Sequence, residues 1–382
     1  MYILMISRGY PTVKEPQWGC FEQDQAVALL RYGHKVVVVS VDSRFLWRFR
    51  KIGISHKVKN GVDYFNSFWI PGRLLSRFCG MGVSQWVRRR QLEKMFGMIV
   101  SQYGKPDVIY GQFFFNTYLG IFLKKKYGIP LVGIEHAGRF NQDRLDPYTL
   151  KLATYAYNYV DAVIAVSETL KARLKYHFKK DAYVVHNLVS SVFENAIRKV
   201  STSENFQFVS TGSLVYGKGF DILINAFAAS GLVAKGIKIL IIGDGVEKEK
   251  LQSQISSLHL DDNIILVGQK SKDEIVKILC DSHAFILPSR SENFSVAVLE
   301  ALSVGLPVIA TICGGIKECI NEKNGILVPV EDTQALCAAL KEMYLNYSKY
   351  DMNYIMTDYQ NRFSSSVIAK QLTDIFETVV SK

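Results

Sequence analysis

What most constrains this chain is a rhythm of short, unalternating apolar runs, each followed by an amphipathic stretch. Tyr2–Ser7 is the first run; a polar loop, a helical pattern over about Glu22–Tyr32 and a stop at Gly33-His34 lead to a second, Lys35–Val41. Val108–Tyr110, Leu131–Ile134, Ala162–Val166 and Tyr183–Val185 repeat the pattern. Strands without polar alternation are covered on both faces, and strands separated by helices pair in parallel. The polar stretch Leu188–Asn205 breaks the rhythm. It restarts with Phe208–Thr211, Lys238–Ile242, Ile264–Val267, Ala284–Leu287, Pro307–Ala310 and Gly325–Val328, with helical patterns between. The spacing predicts an α/β chain of two doubly wound parallel-sheet domains, and 382 residues suffice for both. Ligands of such sheets bind at the carboxyl ends of the strands.

Composition closes several other routes. Hydrophobic residues at 48% and charged residues at 21% exclude a disordered chain. Met1–Arg8 lacks the basic start and cleavage site of a signal peptide and reads as a buried strand. No apolar run approaches the roughly 18–20 residues of a membrane span. The six cysteines, at 20, 79, 280, 313, 319 and 337, form no metal-binding spacing and are expected as reduced thiols in a cytoplasmic protein. Charge is divided unevenly. Residues 1–200 hold 30 Lys and Arg against 14 Asp and Glu, a net of +16, whereas residues 201–382 hold 16 against 21, a net of −5. The first half is therefore expected to meet something anionic.

The second half carries the sharper motifs. Thr211-Gly212-Ser213-Leu214-Val215-Tyr216-Gly217-Lys218-Gly219-Phe220 ends a strand and opens a helix. Glycines there admit a close ligand, and a lysine at a helix N-terminus makes an anion site, although an ordinary tight turn has the same appearance. The spacing is neither a Walker A loop nor Gly-x-Gly-x-x-Gly. Pro288-Ser289-Arg290-Ser291-Glu292-Asn293-Phe294-Ser295 follows the strand Ala284–Leu287, with Asn293 or Ser295 placed to cap the next helix. Glu300 then sits among Val296, Leu299 and Ala301. A carboxylate in an apolar helical stretch needs a partner, whether a buried cation or a ligand hydroxyl.

Glu292-x7-Glu300, followed by Ala301, Gly305, Pro307-Val308, Gly314-Gly315 and Glu318, resembles the signature of family 4 of the retaining glycosyltransferases. Gly212–Gly219, Gly243-Asp244-Gly245, Val267-Gly268, Val163–Glu168 and Val185-His186-Asn187 fit the same family. So do Tyr10-Pro11, Gly19, Glu22-Gln23, Gly33–Val36 and His136 in the first half. The resemblance implies the GT-B fold, two Rossmann-like domains facing across a cleft. It divides the chain into 1–190 for the acceptor, 200–363 for the nucleotide sugar, and a helix at 364–382 packing back on the first domain. It also implies roles. Glu300 would hold the ribose hydroxyls, and Glu292 with Asn293, Phe294 and Ser295 the donor sugar. Lys218 would neutralise the diphosphate, with Gly212, Ser213 and Gly243 around it and Gly268 near the base. Gly19 would let the first-domain loop approach the donor phosphate, and His136 would contact the donor sugar. The catalytic set is thus His136, Lys218 and Glu292. Two positions depart from the pattern: Ser213 stands where the family usually carries arginine, and Ser295 where it usually carries glycine.

No Asp-x-Asp occurs, so no metal or other cofactor is expected; a fixed cation and helix N-terminal amides would stabilise the leaving diphosphate. The family lacks a placed nucleophilic carboxylate, which implies front-side attack. In the first half, Asp42–Lys51, Gly72–Phe78 and Gln85–Arg90 interleave aromatic residues with cations. Each run alone reads as a solvated face. Together they suggest peripheral binding to an anionic membrane and a lipid-linked saccharide acceptor rather than nucleic acid. Two alternatives keep the fold: a nucleotide-sugar epimerase, and a non-catalytic nucleotide-sugar-binding subunit.

Overall fold

The computed structural model describes residues 1–12, 15, 18–42, 52–68, 72–198 and 206–382, and of 72–81 the backbone alone. The chain divides into two compact units, Met1–His186 with Ile368–Lys382, and Asn187–Val367.

The first unit runs β1 (Tyr2–Ser7), α1 (Cys20–Arg31), β2 (Lys35–Asp42), β3 (Gly53–Lys59), β4 (Val62–Phe68) and α2 (Gly72–Tyr103). It continues with β5 (Val108–Gln112), α3 (Phe113–Tyr127), β6 (Leu131–Glu135), α4 (Pro147–Tyr159), β7 (Ala162–Ala165), α5 (Glu168–Phe178) and β8 (Tyr183–Val184). Its sheet has the order β3-β4-β2-β1-β5-β6-β7-β8. Every pair is parallel except β3–β4 at the edge. That antiparallel hairpin corrects the expectation of a wholly parallel sheet. It turns on Asn60 and Gly61, both at positive φ (52° and 78°), the type I′ geometry that matches strand twist. β1 and β2 are buried along nearly their whole length, as unalternating strands must be.

The second unit opens with α6 (Ser191–Glu194). It then alternates β9 (Gln207–Thr211), α7 (Phe220–Ala228), β10 (Lys238–Ile242), α8 (Lys248–Ser257), β11 (Ile264–Gly268), α9 (Lys272–Asp281), β12 (Ala284–Leu287), α10 (Val296–Ser303) and β13 (Val308–Thr311). It closes with β14 (Gly325–Val328), α11 (Thr333–Leu345) and α12 (Met352–Phe363). The sheet order is β11-β10-β9-β12-β13-β14, all parallel. Phe208, Ile239, Ile241 and Ile286 pack with Leu223, Phe227 and Leu340 into its core.

α13 (Ser365–Val380) ends the chain, and its residues from Ile368 belong to the first unit. There Phe376 meets Tyr110 edge-on at 5.0 Å, and Thr373 Oγ1 lies 2.7 Å from His34 Nε2. No helix among the described residues is long and apolar enough to cross a membrane.

In each sheet the strand order reverses once, between β1 and β5 in the first unit and between β9 and β12 in the second. The loops leaving the two strands of such a reversal diverge and open a crevice at the carboxyl edge. Most candidate residues lie on the loops that leave these strands or their immediate neighbours, while Gly268 ends β11, two strands from the reversal.

Candidate active site

In the second unit the loops after β9 and β12 are locked together. Gly219 caps α7 with φ 66°, and a Cβ there would fall 2.0 Å from the carbonyl oxygen of Pro288. Only glycine lets the Lys218 loop lie against the β12 loop. Lys218 Nζ then sits 2.5 Å from Glu292 Oε1, which also accepts from Ser289 Oγ at 2.8 Å. The pair is largely enclosed, with side chains 26% and 12% exposed. The next strand supports it: a Cβ at Gly314 would meet the Glu292 carbonyl oxygen at 2.0 Å, and Gly315 N donates to the Asn293 carbonyl at 2.9 Å.

Arg290 fixes the same loop from behind. Its Nη1 and Nη2 each donate to an oxygen of Asp221 at 2.8 Å, and its Nε donates to Glu331 at 2.9 Å. Nη1 also reaches the Tyr216 carbonyl at 2.7 Å, and the guanidinium lies 3.8 Å from the centre of the Tyr216 ring. The bidentate hydrogen bond from Arg290 holds the Asp221 carboxyl below its usual pKa. Arg290 is thus committed to positioning the segment that carries Lys218.

Around this pair, Gly212 follows β9, Gly243 follows β10 and packs on Gly212, and Ser213 is exposed. Gly268 ends β11 with open space beside it. Phe294 and Ser295 are buried. Ser295 occupies the N-cap of α10, but its side chain makes no capping hydrogen bond, unlike the cap expected from its position. Glu300 is half-buried on α10, and its charge acts on Tyr359.

In the first unit the reversal point is ringed by aromatics. Arg8, just past β1, grips both oxygens of the buried Glu22 on α1, through Nε at 2.6 Å and Nη2 at 3.0 Å. Its guanidinium lies 4.4 Å from the centre of the Phe113 ring and 5.2 Å from that of Trp18. Gly19 caps α1 against the backbone of Gly9. His136, just past β6, places Nε2 3.0 Å from Gln112 Oε1 and its ring 5.0 Å from Phe113. Phe113 is held at φ 65°, a strained value for a residue with a bulky side chain.

Glu135 organises this edge. Fully buried, it accepts from the backbone N–H of Phe114 (2.9 Å), His136 (2.9 Å) and Ala137 (2.7 Å), and from Tyr157 Oη (2.7 Å). Burial pushes its carboxyl pKa up, against the pull of those donors.

The structure therefore gathers Lys218, Glu292, Gly212, Gly243, Asn293, Phe294 and Ser295 at the carboxyl edge of the second sheet, with Glu300 on the helix their loop opens. His136 and Gly19 lie at the carboxyl edge of the first. Sequence spacing did not single out Arg8, Asp221 or Arg290 as organisers, and Glu135 was not among the candidates. The one available signal was Glu135, a carboxylate ending an apolar strand. Among the described residues, no three His, Cys, Asp or Glu side chains come together as a metal site.

Two adjoining matches define the class. Residues 23–191 match the family Glycosyltransferase Family 4, and residues 192–359 match Glycosyl transferases group 1. The chain belongs to the family 4 glycosyltransferases. Its fold is GT-B. It is similar to sucrose-phosphate synthase from Thermosynechococcus elongatus over 100% of this chain and 99% of that one, with TM-score 0.78 and 17% identity. It is likewise similar to HepE of Anabaena, solved with UDP-glucose, over 99% and 100% of the two chains, with TM-score 0.71 and 17% identity. In sequence it is 31% identical over 189 residues to a putative colanic acid biosynthesis glycosyltransferase of Salmonella typhimurium. That match spans 45% of each chain, and across the first three curated relatives the matched share of their length runs from 41% to 66%.

Proposed function

We propose that this chain is a retaining glycosyltransferase moving a sugar from a nucleotide-diphosphate sugar to a lipid-linked or polysaccharide acceptor in cell-surface glycan synthesis. The observation that carries the reading is Lys218, fixed at the reversal point of the second sheet and paired with Glu292. Diphosphate oxygens entering there would take over as the counter-charge of Lys218. Glu292, released, would accept from hydroxyls of the sugar. The bond between the anomeric carbon and the diphosphate oxygen then breaks, with the developing charge met by Lys218 and the amides at the start of α7. The acceptor oxygen bonds the anomeric carbon on the face the diphosphate leaves, and its proton passes to the departing phosphate oxygen. No metal enters this scheme, and the sequence has no Asp-x-Asp to hold one. The roles of Glu300, His136 and Gly19 rest on the family pattern. HepE's complex with UDP-glucose and the polysaccharide assignment of the Salmonella relative support the donor class and the pathway.

A thermal-shift panel of nucleotide sugars in EDTA tests the donor site. One nucleotide sugar is expected to raise the melting temperature of the wild type, and Glu300→Ala is expected to lose most of that shift. A shift that needs Mn²⁺ or Mg²⁺, or that Glu300→Ala retains in full, would contradict the assignment.

Peripheral binding at the inner face of the cell membrane is the second part of the proposal. The basic runs at 43–51 and the side chains of 72–78 lie outside the described residues, so the reading rests on α2 and the net charge of the first half. On α2, Trp86 is 57% exposed and Arg90 lies 5.4 Å from the centre of its ring. Trp86→Ala with Arg90→Ala is expected to reduce pelleting with anionic vesicles, and salt should do the same as the Debye length falls below about 8 Å. Equal pelleting with neutral and anionic lipid would remove the membrane from the account and leave the transferase reading intact.

A further inference from the structure

Arg88 differs from the exposed Arg90 two residues further along α2. It is half-buried and donates from Nη2 to Asn116 Oδ1 at 3.2 Å. Its Nε is buried with no acceptor, and among the described residues no carboxylate forms an ion pair with it. Burial depresses its pKa, while Tyr148 and Asp42 act from farther away to raise it. Asn116 is 2% exposed, and its Nδ2 is also buried with no acceptor. Turning the amide over would not help, because it would set one donor against another. Two neighbouring groups, one of them cationic, thus present N–H bonds with no acceptor inside a folded unit. Buried donors are almost always paired, and buried charges are paired or bind something.

Their position adds to this. Asn116 lies in the first turn of α3, directly after β5, and so at the carboxyl edge beside the reversal of the first sheet. Arg89, the next residue, likewise has a buried Nε with no acceptor, while its Nη2 donates to the Tyr118 hydroxyl at 2.7 Å on the flank away from Asn116. A partner that accepts several hydrogen bonds at once and carries negative charge would satisfy both groups and neutralise the arginine. A phosphate group does both, and the planar fork of arginine suits it better than a point charge would. Residues 1–200, with their net of +16, favour the same class.

We propose that Arg88 and Asn116 form a phosphate-binding site of the first unit. On the transferase reading above, this site takes the phosphate or diphosphate of the acceptor. Sugar transfer would then leave that anion anchored while the acceptor hydroxyl reacts elsewhere.

The test is isothermal titration of farnesyl diphosphate into the full chain carrying Lys218→Ala, which takes the cation out of the donor site. Lys218→Ala is expected to bind the probe, and adding Arg88→Gln should weaken binding at least tenfold. Adding Arg88→Lys, which keeps the charge but loses the Nε donor, should weaken it by an intermediate amount and serves if Arg88→Gln fails to fold. Inorganic pyrophosphate and farnesol are the other arms. Pyrophosphate binding as tightly as farnesyl diphosphate assigns the site to a free anion; weaker binding assigns it to a lipid headgroup. Farnesol binding equally well would overturn the proposal. So would equal affinities with and without Arg88→Gln, or no binding to Lys218→Ala. None of these results bears on nucleotide-sugar binding, so the donor-site reading stands or falls separately.

Discussion

Lys218→Ala is expected to slow turnover about a hundredfold at saturating donor and acceptor. The cation already pairs with the bound diphosphate and gains most as further charge develops on it when the bond breaks, and a preorganised group of this kind is worth about 10²–10³ in rate. The defect should fall mainly on kcat. A second consequence follows from its partner. Without Lys218, the mostly buried Glu292 loses its counter-ion, so the free variant should be less stable by about 1 kcal/mol. Adding Glu292→Gln should restore the stability but not the turnover. Steady-state kinetics and thermal denaturation of the single and double variants check this. Wild-type kcat in Lys218→Ala would remove the leaving-group role.

Glu135→Leu is expected to cost about 3–5 kcal/mol of folding stability. Four donors converge on this carboxylate, three of them backbone N–H groups that leucine cannot satisfy. The pH dependence has a definite sign. The folded pKa of Glu135 is raised by burial, so its contribution is full below the unfolded pKa and is lost as pH rises through the folded pKa. The deficit of Glu135→Leu in urea denaturation should therefore be larger at pH 5 than at pH 8. A deficit under about 1 kcal/mol would show that the edge carrying Phe113 and His136 is held by other means.

Much of the fold is legible in the residues. Unalternating runs such as Leu4–Ile6 and Val36–Val39 have no solvent-facing side, and β1 and β2 are buried accordingly. The hairpin β3–β4 escapes this reading because β3 is an exposed edge with no apolar period. Asn60-Gly61 marked its turn all the same. Strand order is not legible, since no local pattern tells β5 to pair with β1 rather than with β4, and the reversal points that gather the site depend on that order. At the site, the residue types were readable but their mutual contacts were not. Lys218 and Glu292 are 74 positions apart in sequence, and only the pairing of β9 with β12 brings them together. The cations of α2 show the same limit. Arg88 and Arg90 look alike as members of one basic run. The buried stripe Leu92, Met95, Phe96 and Ile99, extended back by one turn, nevertheless arrives at Arg88 and Arg89, both half-buried, and separates them from the exposed Arg90.

The central claim is that this chain transfers a sugar with retention from a nucleotide-diphosphate sugar bound at Lys218, Glu292 and Glu300. Proton NMR of the anomeric signals tests it most directly, with the wild type incubated with each nucleotide sugar, a lipid-extract acceptor and EDTA. The expected result is one donor consumed, free nucleotide diphosphate released, and a new anomeric signal of the same configuration as the donor, all about a hundredfold slower in Lys218→Ala. An inverted product would contradict retention. A new nucleotide sugar formed without acceptor would make the chain an epimerase, and binding of a nucleotide sugar with no product under any pairing would make it a non-catalytic subunit.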